Sequence, residues 1–122
     1  MKKKILIVDD EPRILKLLSA TLQHQGYETF TAGDGYQCIK MAKEVKPDLI
    51  LLDIKMPAGG GLKAYENLQT STLTSMIPTI FITAYPGEEV KKMALEMGAD
   101  GFLEKPFSKV ELLKSINKLI DA

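Results

Sequence analysis

Short runs of apolar residues alternate along this chain with longer segments in which apolar positions recur every three or four residues. Continuous runs are typical of strands buried on both faces of a parallel sheet, and the three-to-four spacing is typical of amphipathic helices. The runs predict five strands, at residues 5–8, 27–31, 49–52, 79–82 and 101–104. The second run is the most polar, which favours a strand near the edge of the sheet.

Turn and capping residues predict a helix after each strand. Pro12 is suited to the first turn of a helix, and Asp34 to the N-cap of the next. A third helix is expected from about residue 62, after a flexible glycine-rich loop at residues 58–61, and a fourth over residues 88–97. Ser108 and Glu111 have the spacing of a capping box, which predicts the start of the fifth helix. The residues expected in the core from the helical periodicity include Cys38, Met93, Met97, Val110, Leu113, Ile116 and Ile120.

Strict alternation of strands and helices predicts an α/β fold in which a parallel sheet has helices on both faces, giving three layers. The leading candidate is the flavodoxin-like (βα)5 doubly wound arrangement with strand order 2-1-3-4-5, which makes strands 1 and 3 neighbours. We expect one domain over residues 1–122, with no output domain in this sequence.

Composition excludes some classes of partner. The 122 residues include 16 basic and 16 acidic side chains, so the net charge of zero favours neither nucleic acid nor a membrane surface as a partner. A single cysteine, Cys38, excludes an internal disulfide and fits a reducing compartment. No apolar run approaches the length of a membrane span, so the expected location is the cytoplasm.

Polar residues follow four of the predicted strands. Asp9 and Asp10 follow the first, Asp53 the third, Thr83 the fourth and Lys105 the fifth. The carboxyl ends of parallel strands share one edge of the sheet, where ligands of open α/β folds bind. Three carboxylates at that edge require a cation, and an all-oxygen set of this kind suits Mg²⁺, with Mn²⁺ also acceptable.

A carboxylate, a hydroxyl, an ammonium and a metal together are complementary to a phosphoryl group. Each residue also has a structural explanation. Asp9 and Asp10 could be helix caps, Thr83 a residue that ends a strand, and Lys105 a solvated turn residue. Because all of them follow strands of the same predicted sheet, the functional interpretation is favoured over the separate structural ones.

Four motifs together resemble the receiver domain of two-component response regulators, the chemotaxis-regulator-like family: ILIVDDE, LILLDIKMP, IFITA and GADGFLEKPF. This resemblance covers essentially the whole chain. It implies that a sensor histidine kinase or a histidine phosphotransfer protein phosphorylates Asp53. It also implies a phosphoprotein that signals through its phosphorylated state and is not a turnover enzyme.

The same resemblance assigns roles to individual residues. Asp10 and Asp53 match the metal-binding carboxylates, with Asp9 assisting, and the backbone carbonyl of Lys55 matches a further metal ligand. Thr83 and Lys105 match the pair that binds phosphoryl oxygens, and the Lys105–Pro106 peptide bond is expected to be cis. Phe102 matches an aromatic switch residue, which with Thr83 would change the surface of helix 4, strand 5 and helix 5.

Three departures from the family pattern stand in this sequence. Gly59 and Gly60 occupy positions where the family has a bulky apolar residue and an aspartate, which predicts a looser loop. Lys55 and Tyr85 occupy variable positions that flank the phosphoryl group, and we expect Tyr85 to shield the acyl phosphate from water. Pro86 stands where helix 4 should begin.

Two other functions remain as alternatives. One is a pseudo-receiver, an interaction module that keeps the fold without phosphorylation. The other is a phosphatase that turns over through an aspartyl-phosphate, which would typically need an acid two residues after Asp53, where this chain has Lys55. Both a monomer and a homodimer promoted by phosphorylation are compatible with the sequence.

Overall fold

The computed structural model describes residues 2–56, 60–84 and 87–120 of the chain. Within these ranges strands and helices alternate as the sequence predicts. The elements, in chain order, are β1 (Lys4–Val8), α1 (Pro12–His24), β2 (Glu28–Ala32), α2 (Gly35–Val45), β3 (Leu49–Asp53), α3 (Gly60–Gln69), β4 (Thr79–Thr83), α4 (Glu88–Glu96), β5 (Gly101–Glu104) and α5 (Lys109–Asn117).

The five strands form one parallel sheet in the order β2-β1-β3-β4-β5. This confirms the predicted order and the edge position of β2. The central strand β3 pairs with β1 on one side, where Val8 lies opposite Leu52, and with β4 on the other, where Asp53 lies opposite Ile82. Every residue of β3 is buried, as expected for a strand covered on both faces.

Alternate residues of each strand point to opposite faces of the sheet and build two separate cores. One core lies against α1 and α5, and its buried members include Ile5, Ile7, Leu49, Leu51, Ile80, Ile82, Leu103, Leu112 and Ile116. The other lies against α2, α3 and α4, and its buried members include Leu6, Val8, Cys38, Ile50, Leu52, Tyr65, Phe81 and Ala94. The sheet is therefore the middle of three layers, as predicted.

The predicted caps form. The Asp34 side chain accepts a hydrogen bond from the backbone N–H of Gln37, and Ser108 and Glu111 make the reciprocal bonds of a capping box. Within the described ranges, no helix is long and apolar enough to span a bilayer.

The flexible loop predicted at residues 58–61 is wrong for its second half, because α3 begins at Gly60. Gly60 has a φ of 67°, and a Cβ placed on it would lie 2.2 Å from the carbonyl oxygen of Ile54. A Cβ on Gly61 would lie 2.2 Å from the carbonyl oxygen of Asp53. These glycines therefore permit a close backbone approach, and the looser packing predicted for Gly60 is not found. Gly59 lies outside the described residues.

Two predicted core residues are exposed. Val110 is 71% exposed because Leu112 and Ile116, one turn apart, form the buried side of α5. Met93 is 50% exposed because Ala94 is the residue that α4 buries. The burial of Cys38 is confirmed.

Candidate functional site

The strand order brings the predicted site residues together at one edge of the sheet. Because β1 and β3 are neighbours, Asp9 and Asp53 lie side by side where these strands end. At the end of β5 the backbone N–H of Lys105 donates to the carbonyl oxygen of Thr83, at 2.8 Å, which ties the two residues together through the main chain.

Three carboxylates meet at this edge. Asp9, Asp10 and Asp53 each offer an oxygen, and these oxygens all lie within 4.8 Å of one another. Asp9 and Asp53 are 2% and 4% exposed, whereas Asp10 is exposed. Buried like charges at this separation are unfavourable without a cation, so the donor set fits a hard divalent ion. The open side at Asp10 leaves room for the water molecules that Mg²⁺ retains.

Among the described residues, Lys105 places the positive charge that lies nearest to these carboxylates. Its Nζ donates to Oδ2 of Asp9 at 2.9 Å and lies 3.9 Å from Oδ2 of Asp53. Burial lowers the pKa of the Lys105 ammonium. The hydrogen bond with Asp9 and the charges of the nearby carboxylates raise this pKa by more than burial lowers it, so the net shift is upward. The side chain therefore stays protonated and directs its charge at the cluster. The Lys105–Pro106 peptide bond is cis, as the resemblance implied.

Asp53 is the most perturbed carboxyl group of the site. Burial and the charge of Asp9 raise its pKa from 3.8 to about 6, although Lys105 and a backbone hydrogen bond from Lys55 act in the opposite direction. That bond joins the Lys55 N–H to Oδ1 of Asp53, at 3.2 Å. The carboxyl group is thus oriented by the main chain and is largely ionised at neutral pH, as a nucleophile must be.

Thr83 and Phe102 lie next to each other on one face of the sheet. Strand alternation places Thr83 on the side of β4 on which Phe81 packs, in the core that lies against α2, α3 and α4. Thr83 is completely buried, and Phe102, opposite Phe81 in the ladder, is half-buried on the same face.

Sequence reasoning did not single out two features that shape the site. Oδ1 of Asp9 accepts a hydrogen bond from the backbone N–H of Glu11, at 2.9 Å, which fixes the rotamer of that carboxylate. Gly61 permits α3 to begin against the carbonyl oxygen of Asp53. An Asp three residues before a helix and a glycine run after a strand were the available signals for these features.

The structure places the remaining predicted residues as follows. The Lys55 side chain is exposed beside the site. Tyr85, expected to shield the acyl phosphate, and Pro86, at the expected start of helix 4, lie outside the described residues.

The sequence and the fold of this chain match those of known proteins. The family model described as the response regulator receiver domain matches residues 5–117. The chain is 40% identical over 120 residues to the alkaline phosphatase synthesis transcriptional regulatory protein PhoP of Bacillus subtilis, covering 98% of this chain and 49% of that protein. It is 35% identical over 120 residues to the phosphate regulon transcriptional regulatory protein PhoB of Escherichia coli, covering 98% and 52%. The chain therefore spans about half the length of these curated relatives.

Two solved structures share the whole fold. The chemotaxis protein CheY4 of Vibrio cholerae superposes with a TM-score of 0.92 at 32% identity, covering 98% of this chain and 100% of that chain. The receiver domain of the sensor histidine kinase PA1611 of Pseudomonas aeruginosa superposes with a TM-score of 0.89 at 27% identity, covering 98% of both chains. That structure has a magnesium ion coordinated in its active site cleft.

Proposed function

Because the chain belongs to the response regulator receiver domain family of two-component signalling, we propose that Asp53 is its phosphoacceptor. The phosphoryl donor in this proposal is the phosphohistidine of a sensor histidine kinase or of a histidine phosphotransfer protein. The observation that carries the proposal is the convergence of Asp9, Asp10 and Lys105 on the buried carboxylate of Asp53.

In the proposed step a carboxylate oxygen of Asp53 attacks the phosphorus of the donor. The new P–O bond forms as the P–N bond breaks, and the electron pair of that bond leaves with the imidazole, whose other nitrogen carries the proton that keeps the ring neutral. Lys105, 3.9 Å from Oδ2 of Asp53, offers its ammonium to the phosphoryl oxygens on which charge collects. The hydroxyl of Thr83 donates to another of these oxygens.

The carboxylates of Asp9, Asp10 and Asp53 would hold Mg²⁺, or Mn²⁺ in its place, together with the backbone carbonyl of Lys55. A bound divalent ion supplies charge neutralisation for the transferring phosphoryl group. The short distances among the three carboxylates support this assignment, because they are unfavourable for ionised oxygens that share no cation.

Phosphorylation would then act as a switch. The phosphoryl group adds about two negative charges to Asp53. In this mechanism Thr83 moves toward the group and Phe102 turns into the space released, which changes the surface formed by α4, β5 and α5. The position of Thr83 and Phe102 on one face of the sheet supports their coupling. The partner that recognises the changed surface is a protein, or a second copy of this chain, and neither nucleic acid nor a membrane.

The proposal treats residues 1–122 as one receiver domain that works in the cytoplasm and is not a turnover enzyme. Lys55, two residues after Asp53, takes the place at which a phosphatase would need a general acid, which favours a lasting phosphoaspartate. Retention of Asp10, Thr83 and Lys105 speaks against a pseudo-receiver. Tyr85 is proposed to slow hydrolysis of the acyl phosphate, so a Tyr85→Ala variant should lose phosphate faster than the parent chain.

Intact-mass spectrometry after incubation with acetyl phosphate and Mg²⁺ tests the assignment. A single phosphoryl adduct is expected, and it should be lost in Asp53→Asn and in the presence of a chelator. Asp34→Asn is the matched control, because asparagine also caps helices and the Asp34 side chain caps α2 and is not part of the carboxylate cluster, so this variant should retain the adduct. A folded protein that forms no adduct would favour the pseudo-receiver, and repeated turnover of a small phosphate ester would favour the phosphatase.

A further inference from the structure

A lysine of α4 lies over the aromatic ring assigned to the switch. The Nζ atom of Lys91 is 5.9 Å from the centroid of the Phe102 ring. An ammonium within about 6 Å of a ring face is attracted by the negative potential of the π system. The phosphoryl transfer and the switch proposed above do not involve Lys91.

Phe102 lies between the core and a charged side chain of α4. Phe102 is half-buried, and its inner side packs against the core that contains Phe81. Tyr65 meets Phe81 edge-on at a centroid distance of 5.1 Å, so the core beneath Phe102 contains packed aromatic rings. The outer side of Phe102 carries Lys91, and on the inner face its diagonal neighbour along the ladder is Thr83.

The charge of Lys91 is not engaged by a carboxylate. Among the residues that the structure describes, no acidic oxygen lies within 4.0 Å of its ammonium, whereas the adjacent Lys92 pairs with Glu96 at 4.0 Å. Lys91 and Lys92 are both exposed and both belong to α4. The two side chains therefore differ mainly in what they face, which is the ring for Lys91 and solvent with Glu96 for Lys92.

We infer that Lys91 is a positioning residue that holds the Phe102 ring outward and thereby lowers the population of the switched state before phosphorylation. This inference rests on the proposed function, because it assumes that the Phe102 ring turns inward when Asp53 is phosphorylated. A cation–ring contact at an exposed site changes such an equilibrium by about 2- to 5-fold. The Phe102 ring loses its contact with the Lys91 ammonium when it turns inward, so the attraction between them opposes the inward turn.

Replacing Lys91 should therefore ease the switch without touching the phosphorylation site. In Lys91→Met the inward state is more populated, and a ligand that binds that state gains apparent affinity by the same factor. The expected result is binding of beryllium fluoride with Mg²⁺, a mimic of the acyl phosphate, that is about 2- to 5-fold tighter than in the parent chain. Lys91→Arg keeps a cation over the ring and should restore the parent affinity. Lys92→Met is the matched control and should leave the affinity unchanged.

The contact itself can be observed without any ligand. The chain has four phenylalanines, so incorporation of 4-fluorophenylalanine gives four ¹⁹F signals, and the one lost in Phe102→Leu belongs to Phe102. That signal should shift in Lys91→Met and stay in place in Lys92→Met. In the Phe102→Leu background, Lys91→Met should no longer alter the affinity for beryllium fluoride, because the ring on which the lysine acts is gone.

An unchanged affinity and an unchanged ¹⁹F signal in Lys91→Met would overturn the inference. So would an effect of Lys91→Met that persists in the Phe102→Leu background, since the lysine would then act by another route. Failure of the parent chain to bind beryllium fluoride would instead overturn the proposed function. In that case the ¹⁹F shift, which needs no ligand, still decides whether Lys91 positions the ring.

Discussion

At the scale of single residues, the site is dominated by a conflict between burial and charge at Asp53. The carboxyl group is 4% exposed and lies close to two other carboxylates, and the Lys105 ammonium offsets only part of this cost. The result is a pKa of about 6 in place of the ordinary 3.8. Without a divalent cation, the folded chain therefore carries an unfavourable charge at Asp53. A phosphoacceptor needs this charge, whereas a residue with a purely structural role does not.

Replacing this carboxylate should stabilise the fold. Asp53→Asn keeps an oxygen that can accept the Lys55 N–H and removes the charge, so we expect the free energy of unfolding without divalent ions to rise by about 1–3 kcal/mol. Urea unfolding in a chelating buffer measures the change. Glu28→Gln, which neutralises an exposed carboxylate on the edge strand, is the control and should change little. A less stable Asp53→Asn protein would contradict this account of the site.

The same group predicts a pH dependence. Since the pKa of Asp53 is raised in the folded state, its charge costs stability above about pH 6. As the pH falls from about 6 toward 4, the folded protein binds this proton before the unfolded chain does, so the cost is progressively relieved. The stability advantage of Asp53→Asn over the parent should therefore shrink across that range. Unfolding curves of both proteins at several pH values, without divalent ions, measure it, and a constant difference would contradict the assigned pKa.

At the scale of elements, the start of α3 depends on backbone contact that a side chain would prevent. A Cβ on Gly61 would stand 2.2 Å from the carbonyl oxygen of Asp53, and neither atom could rotate away, because the backbone sets the position of both. Because the oxygen belongs to Asp53, the proposed phosphoacceptor, the position of α3 and that of Asp53 are coupled.

Gly61→Ala should thus damage both stability and phosphorylation. We expect a loss of about 2–4 kcal/mol in the free energy of unfolding, together with slower phosphorylation by acetyl phosphate, because either α3 or the end of β3 must shift. Gly35→Ala is the control, since its added Cβ would make an ordinary contact at 3.6 Å with Ala64 and alanine favours a helix. A Gly61→Ala protein as stable as Gly35→Ala would contradict the close approach.

Two aspartates, each with the same pair of hydrogen bonds, connect neighbouring strands at the end of the sheet where the strands begin. The Asp48 side chain accepts a hydrogen bond from the N–H of Lys4 at 2.7 Å, and that of Asp100 accepts one from the N–H of Thr79 at 2.9 Å. Each aspartate precedes its own strand and returns its backbone N–H to the same partner residue. The first residues of β1 and β4 are thereby joined to the neighbouring strands.

Removing one of these aspartate side chains should lower stability without affecting the site. Asp100→Ala leaves the Thr79 N–H without its partner, and we expect a loss of about 1–2 kcal/mol in the free energy of unfolding. Asp100→Asn retains an acceptor and should lose less. Thermal or urea unfolding measures both, while phosphorylation of each folded variant should match the parent. Equal losses in the two variants would show that the hydrogen bond is not the source.

At the scale of the whole molecule, two strands that are distant in sequence supply the carboxylates of the site, so a bound ion should stabilise the folded chain. Asp9 and Asp10 follow β1, Asp53 ends β3, and an unfolded chain does not keep them together. Any ligand that binds only the folded state stabilises it by RT ln(1 + L/Kd), where L is the free ligand concentration and Kd the dissociation constant.

Magnesium should therefore raise the stability of the parent chain by about 2.7 kcal/mol at a concentration 100 times its dissociation constant. Part of the gain is relief of the repulsion between Asp53 and Asp9. Thermal unfolding with increasing Mg²⁺ measures the effect, and a chelator should abolish it. Asp10→Asn should respond much less, whereas Asp34→Asn should respond as the parent does. An unfolding temperature of the parent chain that does not change with Mg²⁺ would contradict the proposed metal site.

The sequence by itself determined the order of elements, the parallel sheet and the residues that meet at its edge. These features follow from local information: buried runs such as residues 49–52 favour strands, and Asp34 and Ser108 satisfy free N–H groups within one turn. Once the alternation of elements implies the strand order, the positions of Asp53 and Lys105 follow from where their strands end.

Only the tertiary structure decided which backbones approach closely and which helix faces are covered. The packing of Gly61 on Asp53, the exposure of Val110 and the position of Lys91 over Phe102 each depend on residues distant in sequence. Periodicity reports that a helix has an apolar side, but a shift of one residue turns a side chain by about 100°. Contacts between elements are set when three layers pack together, and that information is not local to any one segment.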